Sequence, residues 1–188
     1  MKQNQYDDPA VALIELRSIA RGVKTADAMV KKAPVRLLEA RTVCPGKYII
    51  LIGGETQAVA DSYNAGKEIG AELVVDELFL PHAHHQIIPA MEACTQIDQI
   101  DSLAIIETFT VAAVILSADA AAKAAEVDLI ELRMANGLGG KSFFTMTGPL
   151  HQIEAAVEAG VAIIEDAGAL VCVETVPNPH ADINLKLL

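Results

Sequence analysis

Thiols, imidazoles and one glycine-rich segment are the groups in this 188-residue chain whose types and spacing could do chemistry. Cys44 opens the segment Cys44-Pro45-Gly46-Lys47, a turn sequence placed after a strand-like run. Pro45 fixes one backbone angle and Gly46 permits unusual ones, so a short rigid turn can aim this thiol. A cysteine works as its thiolate, either as nucleophile or as metal ligand, and Lys47 beside it favours that charge. Lys47 reads equally well as a solvated charge or a subunit-edge contact. Cys94 and Cys172 have no such setting and read as packed thiols that behave as small hydrophobes. Three cysteines without a CxxC spacing predict no disulfide framework and a reducing cytoplasm.

The other candidates are weaker. His82, His84 and His85 form an H-x-H-H run of the kind that can ligate a metal. It stands where a strand meets a linker, and reads as structural. The loop Asn136-Gly137-Leu138-Gly139-Gly140-Lys141 could leave backbone N–H groups free as an anion nest. It lacks the G-x-x-x-x-G-K-Ser/Thr spacing of a P-loop. No Ser-His-Asp or Cys-His constellation can be assembled, so no enzyme is predicted.

What must position these residues is visible as a repeat. Val11–Val43 aligns without a gap on Leu103–Ala135 at an offset of 92, with 13 of 33 positions identical. The match continues through Gly46-Lys47 with Gly140-Lys141, Ala65-Gly66 with Ala159-Gly160, and Pro81-His82 with Pro179-His180. Glu15 and Glu107 also pair by the repeat, and read as structural partners, not as an acid/base couple. Each copy predicts a strand (Val11–Leu16, Leu103–Thr108), then a helix with a start signal at Thr25 or Ser117. A long strand follows (Val35–Val43, Val127–Ala135), then a second (Tyr48–Ile52, Ser142–Met146). A second helix (Glu55–Ile69, Pro149–Ile164) and a closing strand (Leu73–Leu80, Leu170–Val176) complete it. The order is β-α-β-β-α-β, a split-βαβ, ferredoxin-like α/β (α+β) arrangement. Domains are drawn at 10–95 and 102–182, with tails at 1–9 and 183–188 and a short helix at Gln86–Cys94.

Three segments, each present twice or closing a copy, carry a family likeness. Thr25–Ala33 (TADAMVKKA), echoed by Ser117–Ala125 (SADAAAKAA), resembles the first helix of the bacterial microcompartment shell domain. Thr42–Gly54 and Met134–Gly148 resemble its pore loop with the strand after it, and Pro177–His180 (PNPH) resembles its closing motif. Two fused copies in unpermuted order resemble the tandem-domain, single-layer trimers of the propanediol-utilisation type.

That resemblance implies a pseudohexameric homotrimer that joins other microcompartment shell proteins. It places Cys44, Pro45, Gly46 and Lys47 on one pore loop and Asn136, Gly137, Leu138, Gly139 and Gly140 on the other. It makes Lys31 and Lys123 tile-edge contacts. Three copies of Cys44 about one axis would ligate a 4Fe–4S cluster, a type of cluster that ordinarily takes four cysteines. The expected role is electron transfer across the shell, serving redox enzymes in the lumen. Two alternatives stay open: a cluster-free tile whose pore passes or binds a small metabolite, and a soluble ferredoxin-like enzyme or ligand-binding regulator. The family motif carries Arg where this chain has Asn178, and the first copy has Leu80 there, which questions the usual edge packing.

Composition agrees with a soluble tile. Net charge is −11 and aromatics are 4%, against the clustered Lys and Arg that nucleic acid rewards. No apolar stretch is long enough for a membrane span, and the acidic, polar start predicts no secretory signal.

Overall fold

The computed structural model describes residues 9–97 and 99–183. They divide into two compact units. The first holds the described residues up to Ala83 together with the loop Asn136–Gly140. The second holds His84–Ala135 and the residues from Lys141 onward.

In the first unit the elements are β1 (Ala10–Leu16), α1 (Ile19–Lys32), β2 (Arg36–Val43), β3 (Lys47–Gly54), α2 (Thr56–Gly70) and β4 (Val74–Leu80). The second unit opens with the short helix α3 (Ile87–Met91). It repeats the series as β5 (Ser102–Thr108), α4 (Val111–Ala124), β6 (Asp128–Arg133), β7 (Ser142–Gly148), α5 (Leu150–Glu165) and β8 (Leu170–Val176). Each unit has a four-stranded antiparallel sheet, ordered β2-β3-β1-β4 and β6-β7-β5-β8. The predicted order β-α-β-β-α-β is therefore present in both copies.

Centrality explains the strand compositions. β1 (AVALIEL) lies between β3 and β4 and is buried along its whole length. A strand covered on both faces reads as a continuous apolar run. Edge strand β2 (RLLEARTV) mixes charges with apolar residues. The first core joins Ile14, Leu16, Met29, Ile50, Ile52 and Val59. Its counterpart in the second unit includes the fully buried Ile106 and Phe144.

The first helix of each copy begins earlier than Thr25 and Ser117 suggest. Ser18 and Thr110 are the N-caps, accepting the N–H of Arg21 at 3.3 Å and of Ala113 at 3.2 Å. Thr25 and Ser117 lie mid-helix and are buried. Their small size serves helix packing instead. Ser117 Oγ donates to the Gly160 carbonyl at 2.7 Å where α4 meets α5. A hydroxyl followed by an Ala-rich run fits either role, and the cap lies where the chain has just left the strand.

Two further expectations are corrected. Cys94 and Cys172 are exposed, not packed. Cys172 lies on the sheet-edge strand β8, whose alternate residues face outward, and Cys94 follows the end of α3. β6 stops at Arg133 because Ala135 adopts a φ of 48°, which a strand cannot continue. The sequence draws the first domain to residue 95; among the compact units, His84 and α3 fall in the second, with α3 against β6 and α4.

Candidate functional site

The site is the tip of the β2–β3 hairpin. Val43 pairs with Lys47, so only Cys44, Pro45 and Gly46 form the turn. The Gly46 N–H donates to the Val43 carbonyl at 3.0 Å, and Gly46 takes a φ of 89°, a conformation that favours glycine. The Cys44–Pro45 peptide is cis. Cys44 is a free thiol, half-buried, and lines an open recess of about 340 Å³ with Ile19, Thr42, Val43, Pro45, Gly46 and Asn136. The tip of the hairpin thus presents a sulfur flanked by apolar groups and backbone.

Lys47 does not sit in solvent. Its ammonium forms an ion pair with Glu15, which is fully buried on β1. This pair ties the root of the turn to the central strand of the sheet. The second copy repeats the pair as Lys141 with Glu107 at 2.6 Å, in a more exposed setting. The sequence identified the two glutamates as repeat partners but gave no sign that each holds the lysine after its hairpin.

The second loop comes next to the first. Asn136–Gly140 belongs to the same compact unit as Cys44. Gly137, Gly139 and Gly140 have φ values of 74°, 64° and 94°. Gly140 is also short of space, since a Cβ there would lie 3.0 Å from Pro45 Cδ and 3.2 Å from the Cys44 carbonyl oxygen. Glycine is required at this position twice over. Leu138 is half-buried, while Asn136, Gly137 and Gly139 are exposed.

Lys31 and Lys123 pair within their own helices, with Asp27 at 2.7 Å and Asp119 at 2.6 Å. Such i,i+4 pairs contribute only tenths of a kcal/mol. Leu80 is buried and Asn178 is exposed with a φ of 49°. Among the described residues no group of three or more His, Cys, Asp or Glu is arranged to hold a metal ion.

The His84 and His85 rings lie tilted against each other, with centroids 4.3 Å apart. Burial above all pushes the His84 imidazole below its ordinary value. His85 and Lys123 push the same way, and Asp119 opposes them. Its buried Nδ1 has no hydrogen-bond partner among the described residues. The folded chain therefore binds this proton less readily than the unfolded chain does. The stability from neutral His84 is complete above the ordinary histidine value of about 6.5 and is lost as pH falls through the lower folded value. The melting temperature is expected to drop between pH 7.5 and pH 5, and His84→Gln should shrink that drop. An undiminished drop in the variant would show that other groups cause it.

The BMC domain family matches residues 10–83 and 102–179. The bacterial microcompartment shell protein PduT of Citrobacter freundii is 37% identical over 171 residues, covering 91% of this chain and 93% of its own. The crystal structure of a microcompartments protein from Desulfitobacterium hafniense DCB superposes with a TM-score of 0.87 at 47% identity. It covers 94% of this chain and 98% of its own. The fused permuted hexameric shell protein of the RMM microcompartment shares the fold alone, at a TM-score of 0.60 and 18% identity, over 83% of this chain and 81% of its own. No helix among the described residues is long and apolar enough to cross a membrane. Two split-βαβ units in unpermuted order, each matched by the same domain, make this chain a tandem member of the BMC-domain family of bacterial microcompartment shell proteins.

Proposed function

We infer that three copies of this chain close a ring as a facet tile, and that Cys44 of each copy holds a 4Fe–4S cluster at the central opening. The observation behind this is the setting of Cys44: a free, half-buried thiol at a hairpin tip, facing an open recess. The donor suits the group, because thiolate sulfur is what such clusters take. In this reading the ligands are pooled from several chains, one thiol from each. A ring supplies each axial residue three times at equal distance.

A bound cluster supplies one-electron transfer, here across the shell toward redox enzymes in the lumen. The chain's own residues do the rest. Pro45 and Gly46 fix the direction of the thiol, the Lys47–Glu15 pair anchors the turn, and Gly140 lets the second loop lie against it. Lys31 and Lys123 meet neighbouring tiles in this reading, and other shell proteins are the partners. The role is structural and electron-conducting, not catalytic.

A second reading keeps the tile without the cluster. The positive φ angles at Gly137, Gly139 and Gly140 leave backbone little covered by side chains, which suits an opening that passes or binds a small metabolite. Chemical analysis separates the two. Protein purified without oxygen is expected to carry about four irons and four labile sulfides per three chains, and Cys44→Ser to carry neither. Wild-type protein so prepared but free of both would leave the metabolite opening as the function.

A further inference from the structure

The two copies are alike in fold but not in what covers them. In the second unit the outer edge of β6 is closed by the segment that leads into α3. The Gln86 carboxamide makes two hydrogen bonds to this edge: its Nε2 donates to the Val127 carbonyl at 3.1 Å, and its Oε1 accepts the Leu129 N–H at 2.7 Å. Next to it, the His84 N–H donates to Asp119 Oδ1 at 2.7 Å, and α3 packs on β6 and α4 with Ile87 and Ile88 buried. Leu129 is 0% exposed as a result of its surroundings, and Asp119 is buried.

At the offset of 92, the same edge in the first unit consists of Val35, Leu37 and Asp27. There Leu37 is 45% exposed and Asp27 is exposed. Val30, Val23 and Ile19 on α1 are exposed as well, although their counterparts Ala122, Ile115 and Val111 are buried. An exposed apolar strand edge is a template for an added segment.

The sequence holds one segment of matching type. Pro179-His180-Ala181 repeats Pro81-His82-Ala83, so at an offset of 98 Gln86 corresponds to Asn184 and Ile87 to Leu185. Residues 184–188 (NLKLL) lie outside the described residues; they offer a carboxamide followed by three leucines. We propose that residues 182–188 of one copy dock on the α1–β2 edge of the next copy, with the Asn184 carboxamide bonding Val35 and Leu37 as Gln86 bonds Val127 and Leu129. The contact is head-to-tail, the kind of interface that generates a ring where its rotation closes, and in a homotrimer three such contacts complete it. The proposal rests on the reading of the chain as a homotrimer and assigns the residues that close it.

Disulfide trapping tests it in a Cys44→Ser/Cys94→Ser/Cys172→Ser background, which removes every native thiol. Leu37→Cys combined with Leu185→Cys is expected to give covalent dimers and trimers on mild oxidation, while each single variant stays monomeric on a denaturing gel. A chain ended after Ile183 should form trimers at least about tenfold more weakly by light scattering. Three outcomes overturn the proposal. A wild-type trimer that neither crosslinks through this pair nor weakens on truncation rejects the tail contact and leaves the trimer standing. A crosslink confined within single chains makes the occupant the chain's own tail. A monomeric wild-type protein removes the trimer and this contact together.

Discussion

Lys47→Met is expected to destabilise the protein by about 3 kcal/mol, while Lys141→Met costs less than about 1 kcal/mol. The two lysines occupy the same place in the repeat and hold the same partner, Glu15 or Glu107. Burial sets them apart. The Lys47 and Glu15 side chains are 14% and 0% exposed, against 48% and 35% for Lys141 and Glu107. Taking the ammonium from Glu15 removes a counter-charge held against a carboxylate in low dielectric, and such losses run to several kcal/mol. At Glu107 water solvates the carboxylate and the pair contributes little. Urea denaturation of both variants checks this. Equal losses at the two positions would mean that burial does not control the strength of the pair.

Gly66→Leu is expected to cost about 3 kcal/mol by overpacking. Gly66 lies in the middle of α2, where glycine is about 1 kcal/mol worse than alanine on helix propensity alone. Propensity therefore favours a side chain here, and packing opposes it more strongly. A Cβ at Gly66 would come within 2.6 Å of both Ile14 Cδ1 and Met29 Sδ, in the middle of the first core. Met29 can swing aside for one methyl group but not for an isobutyl group. The equivalent Gly160 faces a stiffer obstacle, the Ser117 carbonyl oxygen at 3.1 Å. Asn64→Ala on the exposed face of the same helix should change stability by less than about 0.5 kcal/mol. Thermal melting of the two variants side by side decides the matter. A Gly66→Leu protein as stable as the wild type would show that α1 and α2 can separate freely.

Much of the fold is legible in the residues because periodicity survives duplication. An error in one copy is exposed by the other, and thirteen identities over one ungapped stretch set the register of β1, α1 and β2 on β5, α4 and β6. Helix starts are less legible. Ser18 and Thr25 both carry hydroxyls before alanines, and only the end of β1 at Leu16 decides between them. The positions of Cys94 and Cys172 cannot be judged from polarity, since thiols sit equally well inside or outside.

At the site, the turn Cys44-Pro45-Gly46 is readable because three residues define it locally. The buried partner of Lys47 is not, because Glu15 reaches it only through the pairing of β1 with β3. The need for glycine at position 140 is hidden for the same reason: Pro45 lies far off in sequence. Gln86 gives no local signal, as a carboxamide in a linker has no periodic signature.

The divergence of the two hairpin tips sets a stoichiometry. A protein made of one domain per chain must present every loop residue as many times as the assembly has domains. Duplication within one chain removes that constraint, so one half could gain a sulfur at its turn while the other lengthened into glycines. Each feature then recurs once per polypeptide instead of once per domain, so any assembly of this chain carries half as many hairpin sulfurs as domains.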